Sequence, residues 1–190
     1  MRFSGMQAVK SSAFVVGPRD GPGAALRDVA MRLGFETVLP FAGAAQAEQQ
    51  SAQTPLMFFL FAAVDDPRTL KPAADAIRFS PSRRVRFSPL VYFSESPSIA
   101  AIRLCAAMGF DDVLTLPFTE ARVADRIGRQ IDRTQVYFET PSYFGPDRRQ
   151  NQVKAADSGR GANGQHRRIE IIRSIANGVS VLRDDLQAVA

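Results

Sequence analysis

The chain has 190 residues, 45% of them hydrophobic, with 24 Lys+Arg against 19 Asp+Glu, a formal net charge of +5 and a pI near 10.0. That length suits one domain with an appendage, and the apolar fraction is enough to bury a core. A single cysteine, Cys105, excludes an intrachain disulfide, and the most apolar run, 56–64, is too short to span a bilayer.

The first element is a strand over 13–16, β-branched and aromatic, stopped by Gly17-Pro18. Leu26, Val29, Ala30 and Leu33 follow on one helical face, which Gly34 ends as a left-handed cap. Residues 36–39 read as a second strand, and 44–53 as a short helix without large apolar anchors. The run 56–63 is apolar throughout, as a central parallel strand covered on both faces would be. Then come a weak helix over 70–79, an Arg-rich loop over 80–88 with Arg83, Arg84 and Arg86, and a buried strand over 89–93. Ser96-Pro97 forms a helix start, with serine as cap and proline at the first position. The helix behind it buries Ile99, Ile102, Leu104 and Met108 to varying degrees and ends at Gly109. A fifth strand over 112–116 stops at Pro117, and Thr119 caps a helix carrying Val123, Ile127 and Ile131. Five βα repeats predict an α/β fold with a five-stranded parallel sheet, helices on both faces, and any chemistry at the carboxyl ends of the strands.

Beyond Thr134 the character changes. Residues 134–166 hold an aromatic and Arg-bearing segment, 137–149, and a polar, glycine-containing linker, 150–165. From Arg167 to Ala190 the spacing of Ile172, Ile175, Val179, Leu182, Leu186 and Val189 alternates between three and four, which predicts an amphipathic helix that either docks on the preceding domain or pairs with a copy or a partner. His166, the only histidine, stands beside two arginines and cannot build a metal site alone.

Phe14-Val15-Val16 through Leu26-Arg27 to Leu33-Gly34-Phe35, with Gly109-Phe110-Asp111-Asp112 and Leu116-Pro117-Phe118, resembles the CheY-like receiver domain of two-component response regulators. The resemblance covers roughly 13–133 and implies a flavodoxin-like (βα)5 fold. In that family an acidic pair after the first strand holds Mg²⁺, an aspartate ending the third strand takes the phosphoryl group, and a lysine before the last Pro-Phe neutralises it. The residues in register here are Gly17 and Pro18, Phe61 and Leu116; only the hydroxyl after the fourth strand remains, as Ser94. The aromatic switch position holds Val113. Asp20, Asp65 and Asp66 lie in loops beyond the strands, without the metal ligands or lysine that phosphoryl transfer needs. The resemblance therefore implies a pseudo-receiver with no Mg²⁺ site and no phosphorylation, its old pocket plugged by the apolar side chains of Phe61 and Leu116. Such a domain is expected to act in bacterial signal transduction by protein–protein contact and not as an enzyme. The partner face common in the family, made by the fourth helix, fifth strand and fifth helix, carries Arg103, Arg122, Arg126 and Arg129.

Two alternatives stand beside that reading. Tyr143-Phe144-Gly145-Pro146-Asp147-Arg148-Arg149 is similar to the Arg-rich tails of bacterial CheY-like proteins, a subset of which bind cyclic di-GMP. That likeness implies ligand contacts from Arg148 and Arg149, a guanine-edge acceptor in Asp147 and stacking beside Tyr143; otherwise Tyr143 and Phe144 tuck against the receiver. The net charge also permits weak, salt-sensitive nucleic-acid binding, although no helix-turn-helix or zinc spacing is present. With no signal-peptide pattern over 1–12, the expected location is the cytoplasm.

Overall fold

The computed structural model describes residues 9–95, 98–147 and 166–187. Five strands form one parallel sheet: β1 (Val9–Val16), β2 (Phe35–Pro40), β3 (Leu56–Phe61), β4 (Leu90–Ser94) and β5 (Asp112–Thr115). Their order is β2-β1-β3-β4-β5, which is the flavodoxin-like, doubly wound arrangement. β3 lies at the centre, and all six of its residues are buried, as its unbroken apolar run requires. The first strand starts earlier than its β-branched run suggested, at Val9.

Helices cover both faces. Leu26 and Ala30 of α1 (Gly21–Arg32) and Val123 and Ile127 of α5 (Glu120–Gly128) pack against Ala13, Val15, Phe58, Leu60, Val91 and Leu114. On the other face, α2 (Ala44–Ser51), α3 (Lys71–Arg78) and α4 (Ile99–Ala107) press Ala47, Ala74, Ile77 and Cys105 against Phe14, Met57, Phe59, Phe61 and Tyr92. The Arg-rich loop contains one helical turn, Arg83–Arg86, and Arg84 donates to the Ser51 carbonyl at the end of α2 at 2.6 Å. Thr119 caps α5, accepting from the Arg122 N–H at 3.2 Å. For α4 the cap is Ser98, which accepts from the Ala101 N–H at 3.4 Å; Ser96-Pro97 lies outside the described residues. Of the apolar residues assigned to the buried side of α4, Ile99 and Ile102 are exposed, while Met108, just past its end, is buried.

The C-terminal third corrects the sequence reading. Ile172, Ile175, Val179, Leu182 and Leu186 do not lie on a helix. The segment is a hairpin of β8 (His166–Ser174) and β9 (Gly178–Gln187), and the aromatic segment before it supplies β6 (Thr134–Thr140) and β7 (Tyr143–Pro146). Together they form an antiparallel sheet in the order β7-β6-β8-β9, so 167–187 is a strand pair and not a helix, while the expected linker, 150–165, lies outside the described residues. The physical reason is visible in β8. Ile169, Ile171 and Arg173 alternate inward with period two, and Asn177-Gly178, with Gly178 at φ +74°, turns the chain back. The three-and-four spacing arose because the turn shifts one hydrophobic set relative to the other.

The second sheet docks on the amino ends of the parallel strands. Tyr137, Phe144, Ile169 and Ile171 close over Phe87, just before β4. Gly178 meets Pro55, just before β3: a Cβ there would lie 2.3 Å from the Pro55 carbonyl oxygen. Gly109 and Gly145 touch backbone to backbone, and a Cβ on Gly145 would lie 2.6 Å from the Gly109 Cα.

Candidate functional site

In a doubly wound sheet the carboxyl edge is where ligands are held. Here the register aligns Val16, Phe61 and Tyr92 across β1, β3 and β4, so the next residues form that edge. Gly17 has φ +146°, and a Cβ on it would stand 2.9 Å from the Ala62 Cβ. A side chain there would be both strained and obstructed. Gly23 at the start of α1 sits so close to the Pro18 carbonyl that a Cβ would lie 1.7 Å from its oxygen. The loop after β1 is thus folded down onto β3 and α1, in the place where an acidic pair would have to project.

Phe61 is fully buried, with its ring 4.6 Å from that of Phe110 at 68° and the Tyr92 ring beyond. It is part of the aromatic core below the edge. Ser94 is buried and hydrogen-bonded to Tyr92, whose hydroxyl also bonds the Val64 backbone. Burial raises the pKa of Tyr92. Leu116 differs from the expectation that it plugs a pocket: it is 43% exposed. Asp20, Asp65 and Asp66 are exposed, and Asp66 spends one oxygen on the Arg68 N–H at 2.9 Å. Among the described residues no group of three or more His, Cys, Asp or Glu is placed to hold a metal ion.

The concentrated charge lies at the opposite edge. Arg78 ends α3, Asp111 precedes β5, and Arg173 and Tyr137 come from the second sheet. Arg78 donates to Asp111 at 2.5 Å and Arg173 donates to it at 2.9 Å; Tyr137 donates to the same carboxylate and accepts from Arg173. The Leu90 N–H adds a further donor at 2.7 Å. Each guanidinium has five N–H groups, and each is fully used. Arg78 reaches the carbonyls of Gly109, Arg86 and Ser88 besides Asp111. Arg173 reaches the Phe87 carbonyl, Gln130 and Gln135 besides Asp111 and Tyr137. Burial alone would raise the pKa of Asp111, but Arg173, Arg78, the Tyr137 hydroxyl and the Leu90 N–H together hold it down to about 2. Burial raises that of Tyr137. With no donor to spare, this cluster has nothing to offer a substrate; it is a polar joint between the two sheets.

The sequence reading missed all four of these residues. Arg78 occupies the apolar face of α3 beside Ala74 and Ile77, and Arg173 ends the inward series of Ile169 and Ile171. A charge on a buried stripe is the signal that was available.

Of the tail residues, Phe144 is buried against Phe87 and Tyr137 and lies under the Arg86 guanidinium at 4.0 Å. Tyr143 is half-buried and donates from its hydroxyl to the Pro146 carbonyl at 3.1 Å. The Asp147 N–H donates to Val136 at 2.7 Å. Arg148 and Arg149 lie outside the described residues. On the surface expected to meet partners, Arg126 pairs with Asp112 and Arg129 with Asp125, while Arg103 and Arg122 are exposed. Ile99 is 69% exposed and Ile102 39%.

No protein-family model matches the chain, and no curated protein matches it by sequence. Solved structures similar to it include a response regulator in red light signalling of R. palustris, 19% identical, covering 62% of this chain and 88% of that one, with a TM-score of 0.43. Another is the receiver domain of a sensor histidine kinase from Pseudomonas aeruginosa, with a magnesium ion coordinated in its active-site cleft. It is 22% identical, covers 62% of this chain and 94% of that one, and has a TM-score of 0.44. The strand order and the parallel crossovers make the parallel-sheet portion a flavodoxin-like fold.

Proposed function

We propose that the chain is a receiver-like signalling adaptor that takes no phosphoryl group and works by protein contact. The observation that carries this reading is the closed carboxyl edge. Gly17 lies against Ala62, and Phe61 is locked beneath Phe110 and Tyr92. Phosphoryl transfer depends on positioned charge, from metal ligands and a cation, and the residues at this edge are glycine, proline, phenylalanine and leucine. What the same end of the sheet does offer is exposed apolar surface, in Ile99, Ile102 and Leu116, with Arg103 and Arg122 on α4 and α5. Exposed apolar side chains beside arginine are the composition of contact surfaces. The adaptor reading makes the chain non-catalytic.

The test has two arms. Incubation with acetyl phosphate and Mg²⁺, followed by intact-mass analysis, should show no phosphoryl adduct. A candidate partner retained by the wild type should be lost by an Ile99→Glu/Ile102→Glu variant whose thermal melt is unchanged. An adduct on any aspartate would end the phosphate-independent reading. The cyclic-di-GMP alternative depends on Arg148 and Arg149, and the Tyr143 hydroxyl and Asp147 backbone are engaged in the β7 turn, so no observation favours it over the adaptor.

A further inference from the structure

β9 is the edge strand of the second sheet, paired on one side to β8 and, among the described residues, on the other side to nothing. It is ten residues long. Among the described residues, none of its residues makes a backbone hydrogen bond outside its own sheet. Such an edge is a template for another strand. Proteins often blunt an edge with charge or a bulge; this one bulges at Leu182 and beyond it carries charges of both signs in alternation.

The register makes the pattern specific. On one face of the hairpin Arg183 stands opposite Glu170, and Asp185 opposite Arg168. Within each strand the charges also pair, Arg168 with Glu170 and Arg183 with Asp185, each at 2.5 Å. The four residues form a checkerboard. Now place a second β9 antiparallel to the first, with the two-fold axis at Asp184. Arg183 then faces Asp185 of the copy, and Asp185 faces Arg183 of the copy. One row across the four strands reads Glu170, Arg183, Asp185, Arg168, and the next reads Arg168, Asp185, Arg183, Glu170. The signs alternate along both rows without a break, and opposite charges directly across strands are favourable. Leu186 comes opposite Leu182 of the copy, the residue that bulges between the Ile171–Val181 and Glu170–Arg183 pairs. Leu182 and Leu186 are 55% and 73% exposed in the single chain. Asp184 meets its own copy, an unfavourable pair, but each is already held by two bonds from Arg167, at 2.5 and 2.7 Å.

We infer that β9 pairs with β9 of a second copy, antiparallel and centred on Asp184, joining two four-stranded sheets into one. The occupant is a second copy and not an unrelated strand, because the charge order Arg183, Asp184, Asp185 between Leu182 and Leu186 complements itself under a two-fold rotation. This inference does not depend on the adaptor reading.

Equilibrium sedimentation of the full chain tests it. The wild type should approach twice 20.8 kDa as concentration rises. Arg183→Asp sets acid against acid across the axis, and Asp185→Arg sets guanidinium against guanidinium, so each variant alone should remain monomeric. Mixed together, the two variants set acids at 183 and 185 of one strand against arginines at 183 and 185 of the other, and should associate. Circular dichroism of each variant confirms that it is folded. As an independent measurement, Asp184→Cys should give a disulfide-linked dimer on mild oxidation, because directly opposed Cα atoms in an antiparallel pair lie within disulfide reach, while Leu186→Cys, opposite residue 182 of the copy, should not. A wild type that stays monomeric at its highest soluble concentration overturns the inference. So does dimerisation of both single variants at wild-type strength, or a folded mixture that fails to associate.

Discussion

The two ends of the parallel sheet are opposites. At the carboxyl edge, where this fold ordinarily keeps its reactive groups, Gly17 lies against Ala62 and Phe61 packs edge-to-face on Phe110. At the amino edge two arginines, an aspartate and a tyrosine are buried together under a second sheet. The difference teaches that charge is not evidence of chemistry until its partners are counted. Asp111 has every feature of a functional carboxylate except accessibility: it is buried, perturbed and surrounded by donors. All ten N–H groups of Arg78 and Arg173 are engaged inside the protein. A buried ion cluster is seldom a large net source of stability, but removing one member leaves the others uncompensated.

Asp111→Ala should therefore have the largest effect. It leaves two guanidinium groups buried without their shared anion, and should cost about 3–5 kcal/mol in denaturant unfolding. A loss below about 1 kcal/mol would mean that water reaches the joint and that the two edges are less different than they look. Phe61→Ala removes the ring beneath the carboxyl edge and should cost about 3 kcal/mol by leaving a cavity. The sharper result is that Phe61→Asp should be strongly destabilised and still take no phosphoryl group from acetyl phosphate.

The acid limb of stability tests the joint without mutation. Asp111 has its pKa lowered from 3.8 to about 2 in the folded chain. A carboxylate with a depressed folded pKa contributes fully above the unfolded value and loses that contribution as pH falls toward the folded one. Stability should thus decline by about 2 kcal/mol between pH 4 and pH 2 through this group, read as the falling midpoint of urea unfolding. Gly145→Ala should cost about 1–3 kcal/mol, because its methyl group would collide with Gly109 and the Tyr143 hydroxyl. The smallest effect is a gain. Gly128→Ala, in α5 with nothing within 4 Å of the new methyl, should raise the thermal midpoint by an amount worth up to about 1 kcal/mol. If Gly145→Ala were equally harmless, the close contact of the two sheets would be wrong.

The parallel half was legible because its signals are local. β3 is apolar along its whole length, α1 ends at Gly34 with φ +83°, and α5 begins at the Thr119 cap. Leu116 was misplaced because burial after the end of a strand depends on how the following loop leaves the sheet. The C-terminal hairpin was misread because two strands of one hairpin, counted as a single period, mimic a helical seam. Asn177-Gly178 and the alternation of Ile169, Ile171 and Arg173 were the better guide.

Short windows of the sequence were enough to fix the order of the βα repeats and the buried faces of the first and last of their helices. These follow from backbone sterics, hydrophobic period and side-chain chemistry within short windows. Only the tertiary structure decided that Arg78, Asp111, Tyr137 and Arg173 meet, that Gly109 and Gly145 must both lack a side chain, and that β9 is left as an edge. Those residues are brought together from as far as 95 positions apart, Arg78 to Arg173, and a buried charge is tolerated only where the whole fold supplies its partners.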